Sequence, residues 1–377
     1  MLCTKIFHRF HSTSAVFKTM PYSLHKLDKG PESTVTLTRD DGLHYYTQMK
    51  RSRMMEDSCE PLYKDKLINL ACHLYSGQEA CAVGIVANMD KKDKVITSYR
   101  GHVWTHLLGA TVAEVLAELT GRATGIVSGK SGSMHMYTDQ FYGGNAILCG
   151  QVPNGGGMAL SMKLRNEPNM CVTIYGDGTA NQGQIFETFN MAKLWNLPCL
   201  FVCENNRFGR NVISAEHTCS TDYYTRGDYV PGIRCDGIDV LSIREAVRFS
   251  REYVTSGKGP LLLELLTECH GHSEFGTGAT RFPKRDPIIE LKHKLLENNL
   301  ATEQELIEID KVCKDIAEKA SNNARKDEFL PRDGLYTDVY HNSPNQKIRD
   351  IIDEVVPKYT ETWQILEKMG KPRRDFD

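Results

Sequence analysis

Apolar and polar positions alternate in blocks between residues 171 and 206. Cys171 to Tyr175 is a short, β-branched apolar run, which predicts a buried strand. Apolar side chains then recur at helical spacing, which predicts a helix with one apolar face. They are Ile185, Phe189, Ala192 and Trp195. A second apolar run, from Cys199 to Cys203, predicts another buried strand. We therefore expect a β-α-β unit with parallel strands and a right-handed crossover.

Polar residues follow both of these strands and indicate a ligand site. Parallel strands end at the same edge of a sheet, so Asp177 and Asn206 should face one crevice. Carboxylate and amide oxygens suit a hard cation such as Mg²⁺, which commonly also binds the phosphates of a ligand. Gly176 and Gly178 let the chain turn tightly there. The alternative is that Asp177 caps the helix and Asn206 is an ordinary turn residue.

The same patterns predict elements on both sides of this unit. Helices are expected over 63–75, 77–87, 110–119, 242–256 and 288–327, and strands over 95–102, 232–239 and 260–266. Residues 28–60 are polar and mixed.

Composition narrows the class of protein. The 377 residues can bury a full core, in one large or two modest domains. A net charge of −2 without a long basic run does not suggest nucleic-acid binding, and no apolar run approaches the ~20 residues that span a bilayer. The twelve cysteines are scattered, several of them within apolar strands. They are expected to be reduced core residues rather than disulfides or zinc ligands.

The first 27 residues differ from the rest of the chain. No acidic residue occurs before Asp28, and apolar side chains share one side of a helical wheel with basic residues opposite. This composition is typical of a mitochondrial transit peptide, and a disordered tail is the alternative. We therefore expect a transit peptide at 1–27, an α/β domain with its helical arm at 28–330 and a polar tail at 331–377.

Three further stretches carry candidate chemistry. The glycine-rich segment 129–157 lacks the spacing of a P-loop and is expected to form loops around a ligand. Arg100 ends a predicted strand, where its guanidinium could contact a phosphate or form a surface salt bridge. His270 and His272 flank Gly271 after another strand. They could transfer protons, contact a phosphate or lie in a polar loop.

These motifs together resemble the alpha subunits of the thiamin diphosphate-dependent 2-oxo acid dehydrogenases, in particular those of the mitochondrial pyruvate dehydrogenase first component. The resemblance extends from about Leu62 to Pro287. The matching strings are Gly77-Gln78-Glu79-Ala80, Tyr99-Arg100, Gly132-Ser133-Met134-His135-Met136, Tyr142-Gly143-Gly144-Asn145, Gly176-Asp177-Gly178 with Asn205-Asn206, and His270-Gly271-His272-Ser273.

The resemblance implies a fold and a set of site residues. The fold is a doubly wound α/β fold with a mostly parallel sheet, helices on both faces and a helical C-terminal arm. Mg²⁺ is implied to bind Asp177, Asn206 and the backbone of Phe208, and His272 and His73 are implied to be catalytic. The residues implied to bind thiamin diphosphate are Tyr99, Arg100, Thr138, Ala146, Leu148, Asp177, Gly178, Thr179, Asn206 and His272.

The resemblance also implies a reaction and partners. The reaction is oxidative decarboxylation of pyruvate in the mitochondrial matrix, with transfer of the acetyl group to a lipoyl group and formation of acetyl-CoA downstream. The partners are a beta subunit in an α2β2 heterotetramer, a lipoyl-bearing acyltransferase component, and a kinase and a phosphatase acting at Ser273 and Thr280. The sequence departs from the family at Ala146, where glycine is usual, and after Ser273, where the loop is shorter.

Three alternatives remain open from the sequence. The chain could be the alpha subunit of a branched-chain 2-oxo acid or acetoin dehydrogenase, which differ in the substrate pocket. It could be a poorly active regulatory paralogue, which the altered loop after Ser273 favours. A nucleotide-binding α/β protein is disfavoured, because neither a P-loop nor a GxGxxG motif is present.

Overall fold

The computed structural model describes residues 12–68, 71–209, 212–213, 216, 218–270, 285–332, 334, 337–338 and 368. The strands are β1 (Ser14–Lys18), β2 (Ser23–His25), β3 (Thr34–Thr38), β4 (Lys94–Ile96), β5 (Cys171–Gly176), β6 (Cys199–Asn205), β7 (Phe208–Gly209), β8 (Val212–Ile213), β9 (Gly232–Asp236) and β10 (Leu261–Leu266). The helices are α1 (Arg39–Asp57), α2 (Cys59–Lys64), α3 (Glu79–Val86), α4 (His102–Leu107), α5 (Val112–Leu119), α6 (Gln151–Leu164), α7 (Gly183–Leu194), α8 (Val240–Tyr253), α9 (Pro287–Glu297) and α10 (Glu303–Lys326). Residues up to Pro331 form one compact unit, and 332–377 form a second unit of which few residues are described.

A six-stranded sheet in the order β2-β9-β10-β6-β5-β4 organises the larger unit. Its strands are parallel except β2, which runs antiparallel to β9. The predicted β-α-β unit is confirmed as β5, α7 and β6, with β5 and β6 paired in parallel from Cys171↔Cys199 to Gly176↔Glu204. The expectation of a mostly parallel α/β sheet is therefore confirmed.

Helices cover both faces of this sheet, because its central strands are apolar on both sides. Val172 and Ile174 of β5 belong to a core that includes α1, α3 and α8. Cys171 and Tyr175 of the same strand belong to a second core that includes α6 and α7. Alternate side chains of a strand point to opposite faces, so one apolar run serves both cores.

Polar caps define where the helices on this scaffold begin. The Thr111 hydroxyl accepts the backbone N–H of Glu114, and the Glu114 carboxylate accepts the N–H of Thr111, a capping box at the start of α5. Thr302 and Glu305 form the same arrangement at α10. The predicted helical region 288–327 is confirmed as α9 and α10, which pack against α1 and α5.

The structure departs from the sequence analysis between residues 28 and 75. The polar and mixed stretch 28–60 contains α1, whose buried face uses Tyr45, Tyr46, Met49 and even Glu56, so hydropathy alone does not reveal it. The helix predicted over 63–75 does not form, because α2 ends at Lys64 and Lys66 adopts a left-handed backbone with φ 57°.

The fold also begins before residue 28, contrary to expectation. β1 pairs with β3, and β2 covers the outer edge of β9, so these residues satisfy backbone groups of the domain. The transit peptide stays a prediction, and its residues 1–11 lie outside the described residues. Within the described part of the chain, no helix is both long enough and apolar enough to span a membrane.

Candidate functional site

The structure brings Asp177 and Asn206 to the same edge of the sheet. Gly176 pairs with Glu204 across β5 and β6, and each site residue lies just past these paired positions. Neighbouring strands are about 4.8 Å apart, so the two chain segments leave the sheet side by side. Both side chains are buried, with exposed fractions of 2% for Asp177 and 9% for Asn206. A buried carboxylate beside a buried amide is an arrangement that a cation stabilises.

Hydrogen bonds fix the orientation of the Asn206 amide. Its Nδ2 donates to Oε1 of Gln78 over 3.1 Å, and the same oxygen accepts the Cys269 thiol at 2.7 Å. The preceding Asn205 instead donates to the buried Glu264 carboxylate at 2.7 Å. The two adjacent asparagine side chains therefore make different contacts. The Asn205 side chain links β6 to β10, and the Asn206 side chain is held near the start of α3.

The chain turns sharply after β5. The carbonyl of Asp177 accepts the backbone N–H of Ala180 at 3.2 Å, and a single 3₁₀ turn over Thr179–Asn181 leads to α7. Gly178 is half-buried and Thr179 is buried. This short turn keeps Gly178 and Thr179 beside the carboxylate, at the edge where ligands of open α/β sheets bind.

Arg100, Tyr99 and His73 form a cluster near the carboxyl end of β4, the strand next to β5. Arg100 is 6% exposed and donates from Nη1 to the Leu74 carbonyl over 2.7 Å, so the surface salt bridge is the wrong alternative. Its guanidinium carbon lies 5.4 Å from the centroid of the Tyr99 ring. The rings of Tyr99 and His73 are 4.3 Å apart at 48°. A buried arginine at this edge is suited to an anionic ligand.

A buried acid beside the site was not identified from the sequence. Glu204, near the end of β6, accepts a hydrogen bond from the Tyr75 hydroxyl. Burial raises the pKa of Glu204 to about 7, although the Tyr75 hydrogen bond and the charge of Arg100 oppose the shift. A charged residue within an otherwise apolar strand is the signal that could have indicated it.

Other predicted site residues occupy varied positions. The Thr138 hydroxyl donates to the Leu108 carbonyl at the end of α4 over 2.8 Å and accepts the Phe141 N–H at 3.1 Å, so it joins its own turn to α4. Ala146 and Leu148 are exposed. Phe208 begins β7, which pairs with β8, and its side chain is not described. His272, Ser273 and Thr280 lie outside the described residues.

The residues on either side of segment 271–284 are firmly held. The backbone N–H of His270 donates to the Ser76 carbonyl at 2.9 Å, and its Nδ1 lies 3.4 Å from the Asp286 carboxylate. Arg285 donates to the Asp236 carboxylate at 2.8 and 3.0 Å and also pairs with Glu290. The structure therefore anchors His270 next to the start of α3, which also holds Asn206 through Gln78.

Replacing Gly77 by alanine should loosen this anchor. Gly77 has φ +94°, and a Cβ there would lie 2.3 Å from Cδ2 of His270 and 2.5 Å from the Glu268 carbonyl oxygen. We expect Gly77→Ala to lower the free energy of unfolding by more than about 1 kcal/mol, measured by urea denaturation. The matched variant Gly183→Ala has open space around its Cβ and should change stability by less than about 1 kcal/mol. Equal losses for the two variants would contradict the close approach.

The donor set fits a divalent cation with a diphosphate. Asp177 provides a carboxylate, Asn206 an amide, and Arg100 a buried positive charge, and they come from neighbouring strands β5, β6 and β4. Mg²⁺ binds one or two carboxylates together with phosphate oxygens, and arginine binds phosphates through its forked donors.

Comparisons with known proteins agree on one family. Residues 47–332 match the family described as Dehydrogenase E1 component. The probable pyruvate dehydrogenase E1 component subunit alpha, mitochondrial, of Caenorhabditis elegans is 52% identical over 375 residues, covering 96% of this chain and 94% of the relative. The type I alpha subunit of Ascaris suum is 49% identical with the same coverage, and the human somatic form is 47% identical over 90% of each chain. Because the match covers most of the sequence, the chain belongs to the dehydrogenase E1 component family.

Proposed function

We propose that the chain is the alpha subunit of a pyruvate dehydrogenase first component. With a beta subunit it catalyses the oxidative decarboxylation of pyruvate and passes the acetyl group to a lipoyl group. The reaction requires thiamin diphosphate and Mg²⁺. The observation that carries this proposal is the meeting of buried Asp177 and Asn206 at one edge of the parallel sheet. The relatives at 47–52% identity are named as pyruvate dehydrogenase subunits, which supports the choice of pyruvate as substrate.

In this proposal the chain's residues hold and orient the cofactor. Asp177, Asn206 and the Phe208 carbonyl would bind Mg²⁺, while Tyr99 and Arg100 would bind the diphosphate. The turn after β5 would bring Gly178 and Thr179 to the diphosphate. Thiamin diphosphate supplies the carbon nucleophile and the electron sink that decarboxylation of a 2-oxo acid requires. Thr138, Ala146 and Leu148 are further candidates for cofactor contact, and the Thr138 hydroxyl already bonds to Leu108 and Phe141.

Two histidines are proposed for proton transfer near the substrate. His73 is half-buried against the Tyr99 ring, which places it beside the proposed diphosphate-binding residues. His272 follows the anchored His270 by two residues. An imidazole suits this task because its usual pKa lies near neutral pH.

We propose a beta subunit as partner in an α2β2 heterotetramer in the mitochondrial matrix. Large apolar side chains stay exposed at the C-terminal end of α6, along α7 and just after it, which is unusual for a monomer and typical of an interface. They are Leu164, Phe186, Met191, Leu194 and Trp195. Relatives are named mitochondrial, which supports the location.

Regulation by a kinase and a phosphatase at Ser273 and Thr280 stays a prediction. Both residues fall between His270 and Arg285, and His270 is anchored to Ser76, two residues before the Gln78 that binds the proposed Mg²⁺ ligand Asn206. A phosphate there would add negative charge close to the cofactor diphosphate, which should weaken activity.

Transfer of the acetyl group onward requires a lipoyl-bearing acyltransferase component.

Activity in the reconstituted pair tests the proposal. The chain is co-expressed with a matching beta subunit, and carbon dioxide release is measured with and without thiamin diphosphate. Carbon dioxide release from pyruvate, well above that from 3-methyl-2-oxobutanoate, is the expected result. Preference for 3-methyl-2-oxobutanoate, or reduction of an added electron acceptor with acetoin but not with pyruvate, would show that pyruvate is not the substrate. Bound cofactor without turnover would identify a poorly active paralogue, and failure to bind cofactor would overturn the site itself.

A further inference from the structure

Three buried side chains converge outside the proposed cofactor site. Among the described residues, Cys59, Cys72 and His102 each offer one metal-ligating atom, and these atoms lie within 4.8 Å of one another. All three residues are fully buried, and both cysteines are free thiols. Cys59 begins α2, Cys72 lies in the segment before α3, and His102 begins α4. The fold rather than a local motif therefore assembles the cluster.

A carboxylate fixes the imidazole of this cluster. Nδ1 of His102 lies 3.0 Å from Oε2 of Glu56, and the other Glu56 oxygen accepts the backbone N–H of Tyr75 at 3.2 Å. Nε2 of His102 lies 2.8 Å from the hydroxyl of Ser133. A carboxylate bound to one ring nitrogen is the usual partner of a histidine that ligates a metal through the other nitrogen.

We propose that Cys59, Cys72 and His102 form a binding site for one thiophilic divalent ion of the Zn²⁺ class. The ligands are the two thiolates and Nε2 of His102, and the Ser133 hydroxyl or a water takes the fourth position. A tetrahedral zinc site has ligand atoms about 3.8 Å apart at zinc–sulfur distances of about 2.3 Å. Closing the cluster from within 4.8 Å therefore needs only a small contraction.

Charge balance favours this occupant over a hard cation. Two thiolates and a neutral imidazole cancel the charge of a divalent ion, which lowers the cost of burying the complex. Sulfur ligands select soft or borderline metals, whereas Mg²⁺ requires oxygen ligands. The site is thus chemically distinct from the oxygen donors of Asp177 and Asn206.

The ion would tie together segments that support the cofactor edge. Cys72 precedes His73, whose ring contacts the Tyr99 ring, and the carbonyl of Leu74 accepts a hydrogen bond from Nη1 of Arg100. A bound ion would therefore fix this segment to α2 and α4. Since the unfolded chain lacks the assembled site, binding should raise the thermal stability of the protein.

Cobalt substitution tests the site on the full chain purified with its beta subunit. The reduced protein is stripped with a chelator, saturated with Mg²⁺ to fill oxygen sites, and titrated with Co²⁺. We expect about one Co²⁺ per chain to produce thiolate-to-metal charge-transfer absorption in the near ultraviolet and visible bands of a tetrahedral ion. Zn²⁺ should abolish this spectrum and raise the melting temperature. Oxygen ligands give no such charge-transfer absorption.

Variants identify the ligands. Cys59→Ala and Cys72→Ser, each checked for native circular dichroism, should lose the charge-transfer absorption. Cys313→Ala, which removes an equally buried thiol from α10, should keep it. The proposal is overturned if the unaltered chain shows no charge-transfer absorption, or if a folded Cys59→Ala and Cys72→Ser double variant retains it. A Cys59–Cys72 disulfide in the purified chain in place of bound metal would also overturn it.

Discussion

Replacing Asp177 by alanine is expected to abolish Mg²⁺-dependent binding of thiamin diphosphate. Asp177 is the charged member of the proposed ligand set, since Asn206 and the Phe208 carbonyl are neutral. It is also 2% exposed, so water cannot easily replace the lost carboxylate. Loss of partners outside the first ligand shell already weakens metal binding by about 10–100-fold, and loss of a ligand should exceed that. Isothermal titration with thiamin diphosphate at saturating Mg²⁺ measures the change.

Two further variants separate binding from folding. Asp177→Asn keeps the size of the side chain and should lose binding while retaining the urea midpoint of the unaltered chain. Asp315→Asn changes an exposed carboxylate on α10 and should leave binding unchanged. Full Mg²⁺-dependent binding by a folded Asp177→Ala variant would remove the metal site, and with it the proposed function.

The central β-α-β unit was predictable because its signals are local. Apolar runs mark β5 and β6, and helical spacing marks α7, so the positions of Asp177 and Asn206 follow from the parallel arrangement. The contacts that orient them were not predictable. Gln78 reaches Asn206 across 128 residues, and Tyr75 reaches Glu204 across 129 residues. No spacing rule in a single sequence connects such distant residues.

The structure of the N-terminal region was not predicted from the sequence for a different reason. Residues 14–25 have the composition of a targeting peptide, yet β1 and β2 complete two sheets through pairing with β3 and β9. Backbone hydrogen bonds form these pairs, and they depend little on side-chain composition. The cysteines illustrate the same limit. Cys59 and Cys72 looked like isolated core residues, and only the fold places His102 beside them.

Replacing Arg53 by methionine is expected to cost about 3–5 kcal/mol of stability, the largest loss that we predict for an ion pair in this chain. Arg53 donates to both carboxylate oxygens of Glu79, at 2.9 Å for the Nη2 bond, and to Asp286 at 3.0 Å. Glu79 is fully buried, and its other donor is the backbone N–H of Gly77 at 3.0 Å. The variant would leave a buried carboxylate without its counter-charge.

The effect should extend to the cofactor edge. Through Glu79, Arg53 joins α1 to the start of α3. Through Asp286, which caps α9 and lies 3.4 Å from Nδ1 of His270, Arg53 also joins α1 to the residues beside segment 271–284. Burial alone would raise the pKa of Asp286, but the charge and hydrogen bond of Arg53 outweigh it and lower that pKa. Urea denaturation gives the stability, and the affinity for thiamin diphosphate should fall in the same variant.

A double-mutant cycle decides whether the lost charge pair is the cause. If Glu79 is destabilised by losing its partner, Arg53→Met with Glu79→Met should be more stable than Arg53→Met alone, because two apolar side chains can occupy a buried site without cost in charge. Arg325→Met is the control, since Arg325 pairs with a half-exposed Asp65 at 2.6 Å and should cost less than about 1 kcal/mol. Equal losses at Arg53 and Arg325, or additive losses in the cycle, would show that burial of the Arg53–Glu79 pair contributes little to stability.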